Sequence, residues 1–405
     1  MQRTTVAEPF LVGYGVDLRV DVTGEGQPLD HAEVSLFLET WGRIRRMLAG
    51  ETDENGHIAF SYGWFFDPTD LLVIPYANFW RPWIEGPRDP RTVDCLALPM
   101  EGPLGWWHHT LRIRDYDLRG SGVRIGVIDS GCGPHPALAH VTRIGAFIDG
   151  EHDPESGADS GSHGSHVCGT IAARPVGEGH YGGIASGAEL YCARVFPPDG
   201  GANQGDIANA IDELSKVHRV DLINMSLGAD TGSEIERDAI QDALERGTLC
   251  VCAAGNDGKR GIIYPAAFTE TIAVSALGRL GEAPAETLSA KRAPEDGDKR
   301  RGSLYLANFS SFGPEIDCVA PGVGIIATVP ERYSLEAPYA PMDGTSMASP
   351  AACGALVVML SRDNDYHRTP RDQTRAEMAR AILHRCCRDL GLPNEYQGYG
   401  VPDVS

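Results

Sequence analysis

Basic side chains are scarce in this chain of 405 residues, 35 lysines and arginines against 56 aspartates and glutamates, for a formal net charge of -21. Over most of its surface such a chain repels phosphate backbones and anionic bilayers, so nucleic acid and membrane are not expected partners. No run approaches the roughly 20 apolar residues of a membrane span, and the opening "MQRTTVAEPFLVGYGVDLRVDV" lacks a basic segment followed by an apolar core. The expectation is a cytoplasmic protein without an export signal. Low-complexity tracts are also missing, and 48 glycines with 42% hydrophobic residues indicate a compact fold with many tight turns.

Aromatic residues are few, 7% of the chain, and unevenly spread. All six tryptophans, Trp41, Trp64, Trp80, Trp83, Trp106 and Trp107, precede residue 108, after which glycine and alanine dominate. This shift predicts a small Trp-rich, sandwich-like β domain over 1–107, a linker over 108–121 and a larger domain over 122–405. In the first part "DLRVDV" and "AEVSLFL" alternate, and "ETDENGHIAF" places a turn before a strand. Its tryptophans are expected in the core and in packing between domains.

From residue 122 short apolar strands alternate with helices: "VRIGVI", "ELYCARVF", "DLINMSL", "TLCVCAAG" and "TIAVSAL" read as strands, "GDIANAIDELSKVH" and "SEIERDAIQDALERG" as helices. That alternation predicts an α/β fold with a doubly wound, mostly parallel sheet, whose ligands collect at the carboxyl ends of the strands. Residues 278–304, polar and charged, read as a solvated loop. The ten cysteines stand mostly in apolar or small-residue runs and read as reduced, buried thiols.

Three candidate reactive groups follow strands or open helices. Asp129 closes "VRIGVID", His163 lies in "SGSHGSHVCGT", and Ser346 lies in "MDGTSMASPAACG". Alone, the aspartate reads as a turn former, the serine as a helix cap, and His163 with His166 as the start of a metal pair that no further ligand completes.

Together, "VIDSG", "HGSHVCGT", "NMSLG", "AAGNDG", "FSSFGPEIDCVAPG" and "GTSMASP", in this order, resemble the subtilase family of serine peptidases over roughly 122–400. The resemblance implies a serine endopeptidase with Ser346 as nucleophile, His163 as its base and Asp129 as the carboxylate that fixes the imidazole. It assigns the oxyanion to the Asn256 side chain with the Ser346 backbone N–H, and backbone pairing with substrate to Ser226, Leu227 and Gly228. His166 reads as structural. The acidic approach to His163, with Asp149, Glu151, Asp153, Glu155 and Asp159, suggests a preference for basic residues near the cleaved bond.

The chain also departs from the family. Residues 1–107 do not resemble the usual propeptide, so this part is expected to recruit substrate or partner, or to inhibit. No cofactor is required; where relatives hold calcium, "RPVGEGHYGG" offers only Glu178 as a carboxylate. A silent scaffold built on a protease fold is the alternative, and it calls for a missing catalytic group.

Overall fold

The computed structural model describes residues 15–405, so the first fourteen residues of the opening read for an export signal lie outside the described residues. The chain divides into two compact units, one running up to Leu98 and taking in Pro284–Leu288, the other comprising Pro99–Ala283 and Ser289–Ser405.

The first unit is a β-sandwich. One sheet holds β1 (Gly15–Gly24), β2 (Gln27–Pro28), β5 (His57–Gly63) and β8 (Arg91–Cys95); the other holds β3 (Glu33–Thr40), β4 (Arg45–Glu51), β6 (Phe66–Ile74) and β7 (Trp83–Glu85). Alternation decides which side chains go inside, because successive residues of a strand face opposite ways. Leu18, Val20 and Val22 of β1 meet Val34, Leu36 and Leu38 of β3, with Phe60, Leu71 and Val73, in one core. The turn before β5 is closed by Asp53, whose Oδ1 accepts the backbone N–H groups of Asn55 and His57, both at 2.9 Å.

Three expectations change here. Trp80, Trp106 and Trp107 are buried, but Trp41 and Trp64 are 93% and 69% exposed. Trp106–Thr110 forms a short helix, α1, in the second unit, so the division falls at Leu98 rather than at residue 107. The 278–304 insertion is not simply solvated either. Its residues Pro284–Leu288 belong to the first unit, where the Trp83 N–H donates to the Glu286 carbonyl at 2.9 Å and the Leu288 N–H to the Arg81 carbonyl at 2.8 Å. They extend the sheet beyond β7.

The second unit is built on a ten-stranded sheet. Its strands are β9 (Arg124–Asp129), β10 (Thr142–Ile148), β11 (Glu151–Asp153), β12 (Glu189–Arg194), β13 (Leu222–Met225), β14 (Leu249–Ala253), β15 (Ile272–Arg279), β16 (Arg300–Arg301), β17 (Leu304–Leu306) and β18 (Cys318–Pro321). From β10 the order runs β12, β9, β13, β14, β15 and β18, every pair parallel, while β11, β16 and β17 are antiparallel additions. Two helix pairs cover it: α2 (His163–Ala172) with α5 (Thr345–Arg362), and α3 (Gln204–Asp212) with α4 (Glu234–Glu245). Strand β9 lies between β12 and β13, so the chain winds to one side after β9 and to the other after β13. Beyond the carboxyl ends of these two strands lies the switch point of the sheet, where ligands of such folds bind.

All ten cysteines are free, and eight of them are buried. No helix among the described residues is long and apolar enough to cross a membrane.

Candidate active site

Asp129 is the last residue of β9 and is buried. Its Oδ1 accepts the Ser130 backbone N–H at 2.7 Å and the His163 Nδ1–H at 2.8 Å. His163 opens α2, its side chain 39% exposed. Burial pulls the imidazole toward neutrality, but the Asp129 charge, its hydrogen bond and the nearby Asp159 outweigh that, so the histidine pKa lies above its ordinary value. With Nδ1 tied to the carboxylate, Nε2 is the nitrogen left for chemistry.

Ser346 is the second residue of α5, which packs against α2. Its Oγ donates to the Ser226 carbonyl at 3.2 Å. In return the Ser226 hydroxyl donates to the Ser346 carbonyl at 2.8 Å. The reason lies one turn along, at Pro350. A helix interior normally satisfies the carbonyl of residue i with the N–H of residue i+4, and proline has none. Ser226 supplies the missing donor and so ties the segment after β13 to the start of α5. Its own Oγ accepts from Asn224 Nδ2 at 3.0 Å, and the Asn224 Oδ1 accepts from Ser349 Oγ at 2.8 Å.

Asn256 follows β14, exposed but fixed in orientation, because its Oδ1 accepts the Thr345 N–H at 2.9 Å and the Thr345 hydroxyl at 3.0 Å. The Thr345 hydroxyl also accepts the Gly255 N–H at 3.2 Å. With the oxygen engaged, Nδ2 is turned the other way. A methyl group added at Gly344 would lie 3.7 Å from Ser346 Cβ and 3.8 Å from Asn256 Nδ2, so serine and amide face one space over that glycine.

The sequence profile described as the Subtilase family matches residues 120–400, more than half of the chain. The chain belongs to the subtilase family. It is 33% identical over 287 residues to "Minor extracellular protease Epr" of Bacillus subtilis, covering 70% of this chain and 38% of that protein. To "Subtilisin NAT" of Bacillus subtilis subsp. natto it is 36% identical over 248 residues, covering 60% of this chain and 56% of that one. "Thermostable alkaline protease" of Halalkalibacterium halodurans matches at 33% over 258 residues, 64% and 62% of the two chains. The match thus spans less than two thirds of these relatives.

Around the subtilase site, several residues carry weight that their local sequence does not announce. Asp159, one of the acidic residues before His163, is buried and does not face outward. Its Oδ1 accepts from Ser130 Oγ at 2.8 Å and the Gly161 N–H at 2.9 Å, and its Oδ2 from the Ser165 N–H at 2.8 Å and Ser165 Oγ at 2.5 Å. Ser130 Oγ accepts the Gly164 N–H at 2.9 Å, and Ser165 Oγ the Gly133 N–H at 2.8 Å. Asp159 therefore clasps the loop after Asp129 to the turn that presents His163. Asp149, Glu151, Asp153 and Glu155 remain exposed. His166 is fully buried, its Nε2–H shared between the carbonyls of Ile325 at 2.9 Å and Ala340 at 3.1 Å.

Ser226 and Leu227 are buried and Gly228 is exposed. The next residue, Ala229, pairs with Tyr264 through two backbone hydrogen bonds of 2.9 Å. At Gly228 a side chain would meet the Tyr264 carbonyl at 2.5 Å, which no Cβ tolerates. Among the described residues no group of three or more His, Cys, Asp or Glu side chains is arranged to hold a metal ion.

Proposed function

We propose that the subtilase unit is a serine endopeptidase that cleaves protein or peptide chains through an acyl-enzyme. The 2.8 Å bond between Asp129 and His163, which opens the helix α2 packed against the Ser346 helix α5, is the observation that carries this reading. In the first step the Ser346 hydroxyl leaves the Ser226 carbonyl, gives its proton to Nε2 of His163 and bonds to the substrate carbonyl carbon. The oxyanion is met by Asn256 Nδ2 and the Ser346 backbone N–H at the start of α5. Protonated His163, held by Asp129, then delivers its proton to the leaving amine. Water repeats the sequence to free the acid and restore Ser346. Substrate pairs by its backbone with Ser226, Leu227 and Gly228, a mode indifferent to side chains. The exposed Asp149, Glu151, Asp153 and Glu155 bias it toward lysine or arginine near the cleaved bond, and equal rates for basic and neutral peptides at low salt would remove that element.

A fluorophosphonate probe should label the wild-type chain at Ser346. Ser346→Ala should abolish labelling and lower peptide cleavage on the order of a million-fold. Asn256→Ala should keep the labelling site yet cost about 100- to 1,000-fold in kcat. Labelling that survives Ser346→Ala overturns the assignment, and a folded wild-type chain that neither labels nor cleaves leaves the silent scaffold.

The sandwich acts in this reading as a retained module that recruits substrate or partner. Support comes from Pro284–Leu288, a piece of the later sequence that completes its second sheet. The ten free thiols support a reducing, cytoplasmic setting.

A further inference from the structure

The sandwich is polarised along its strands. Because β3 and β6 run antiparallel with Thr40 opposite Phe66, the turn after β3 and the turn before β6 lie at one end. The register of β1 with β5, Gly15 opposite Gly63, brings the start of β1 to that same end. Of the seven large hydrophobic side chains exposed on this unit among the described residues, six belong there: Val16, Trp41, Ile44, Met47, Trp64 and Phe65. The seventh, Leu96, follows β8, whose last residue Cys95 pairs with Gly24 at the far end. The turn after β3 is tightly built. The Arg43 N–H donates to the Thr40 carbonyl at 2.8 Å, the Thr40 N–H to the Ile44 carbonyl at 3.0 Å, and the Ile44 N–H to Thr40 Oγ1 at 3.1 Å. Trp41 is thus held out in water by a fixed turn.

Charge is polarised in the same sense. Residues 41–47, "WGRIRRM", carry exposed Arg43, Arg45 and Arg46 with no acidic residue among them, while Asp17, Glu39 and Asp67 stand beside them at the same end, Glu39 3.7 Å from Arg45, so this end is near balance with its arginines outermost. Arg46 lies over the Phe66 ring at 5.5 Å, and the Phe65 and Phe66 rings lie tilted at 36° with centroids 4.8 Å apart, so one cation is packed among the aromatic rings. The far end carries Glu25, Asp30, Glu33, Glu51, Asp53 and Glu54. Exposed apolar patches of this kind are rare unless something covers them.

We infer that this end of the sandwich docks on an anionic lipid bilayer. Indole, phenyl and aliphatic tips suit the boundary between headgroups and acyl chains, and the arginines between them suit lipid phosphates. The net charge of the whole chain does not oppose this contact, because at physiological salt charges beyond about 8 Å are largely screened. The six acidic residues of the far end disfavour contact there and so orient the domain. A lipid surface fits better than a protein groove because the apolar groups project from separate turns instead of lining one concave face.

The test needs no hydrolysis, so its outcome is separate from that of the peptidase reading. Full-length chain carrying Ser346→Ala is floated with vesicles of phosphatidylcholine alone, or of equal parts phosphatidylcholine and phosphatidylserine. It should float with the phosphatidylserine vesicles only, with a blue shift of tryptophan emission. Trp41→Ser with Trp64→Ser should abolish flotation. Arg43→Gln with Arg45→Gln should weaken it about thirty-fold, from roughly 1 kcal/mol per arginine near an anionic surface. Both variants should melt with the wild type. Absence of binding by the unsubstituted tip overturns the inference, as does binding that both variants retain. Self-association that the tip variants dissolve, or vesicle binding gained only on removal of residues 1–14, assigns the surface to a second copy or to the chain's own start and overturns it equally.

Discussion

In the subtilase unit a carboxylate, Asp159, lies inside and accepts four hydrogen bonds; in the sandwich an indole, Trp41, is held almost wholly in water. Buried polar groups and large exposed apolar ones are the two exceptions to ordinary partition that carry information, and here each unit shows one of them. The inversion in the subtilase unit is cohesive, because the buried oxygens of Asp159 join the loop after Asp129 to the turn before His163. The inversion in the sandwich is expectant, since Trp41 and Trp64 leave most of their surface in water. Stability experiments should therefore separate the two.

Asp159→Ala gives the largest expected effect. It strips acceptors from Ser130, Gly161 and Ser165 at once, a buried network whose loss costs on the order of 4 kcal/mol or more. A melting curve close to wild type would break the comparison. Glu236, near the start of α4, tests burial of a carboxylate without such partners: burial pushes its pKa up to about 7. The sign follows directly, because the folded state holds this proton at pH values where the unfolded chain has released it. Stability is therefore lost as pH rises from the ordinary glutamate range toward 7. Glu236→Gln should match the wild type in acid and exceed it by about 3 kcal/mol above neutrality, read by denaturant unfolding at both pH values.

The acid limb of kcat/KM should be subtler. The proposed base works only when neutral, so activity falls as pH drops through the His163 pKa, which Asp129 and Asp159 hold above the ordinary value of about 6.5. Asp159→Asn should move that limb to lower pH, by removing one of the charges that favour the imidazolium; an unmoved limb would confine Asp159 to a structural role. Smallest of all, Trp41→Ser should change unfolding free energy by less than about 0.5 kcal/mol, as expected of a surface side chain. A larger loss would mean that the tip is part of the fold and would sharpen the contrast in the other direction.

Much of the subtilase unit was legible because its signals are local. Short apolar runs alternate with helical spacing, and Asp129, His163, Asn256 and Ser346 sit in compact motifs at strand or helix ends. What escaped was set by partners distant in the chain. Pro350 lies inside a helix, and its compensation by Ser226, 120 positions before Ser346, is written nowhere near it. Asp159 reads as one acid among five until the loops around it close. The same holds for the sandwich: alternation placed its strands but not its tryptophans, since Trp80 is buried outside any strand and Trp83 within β7 is only half-buried. Trp41 and Trp64 fall at turns. Net charge is likewise an average, and -21 does not reveal three arginines in four residues.

Pro284–Leu288 bears on how this protein could be taken apart. The chain passes between the units three times, at Leu98, Ala283 and Leu288, so one cut in residues 99–121 leaves the sandwich attached by the strand it has borrowed. A shortened chain that begins at Pro99 would keep that strand and lose the sheet it completes, leaving Thr287 and Leu288, both buried in the whole protein, without cover. The sandwich is thus no cassette to be appended, exchanged or shed in one event. Any lineage or design that alters it must alter the insertion between β15 and β17 in the same stroke.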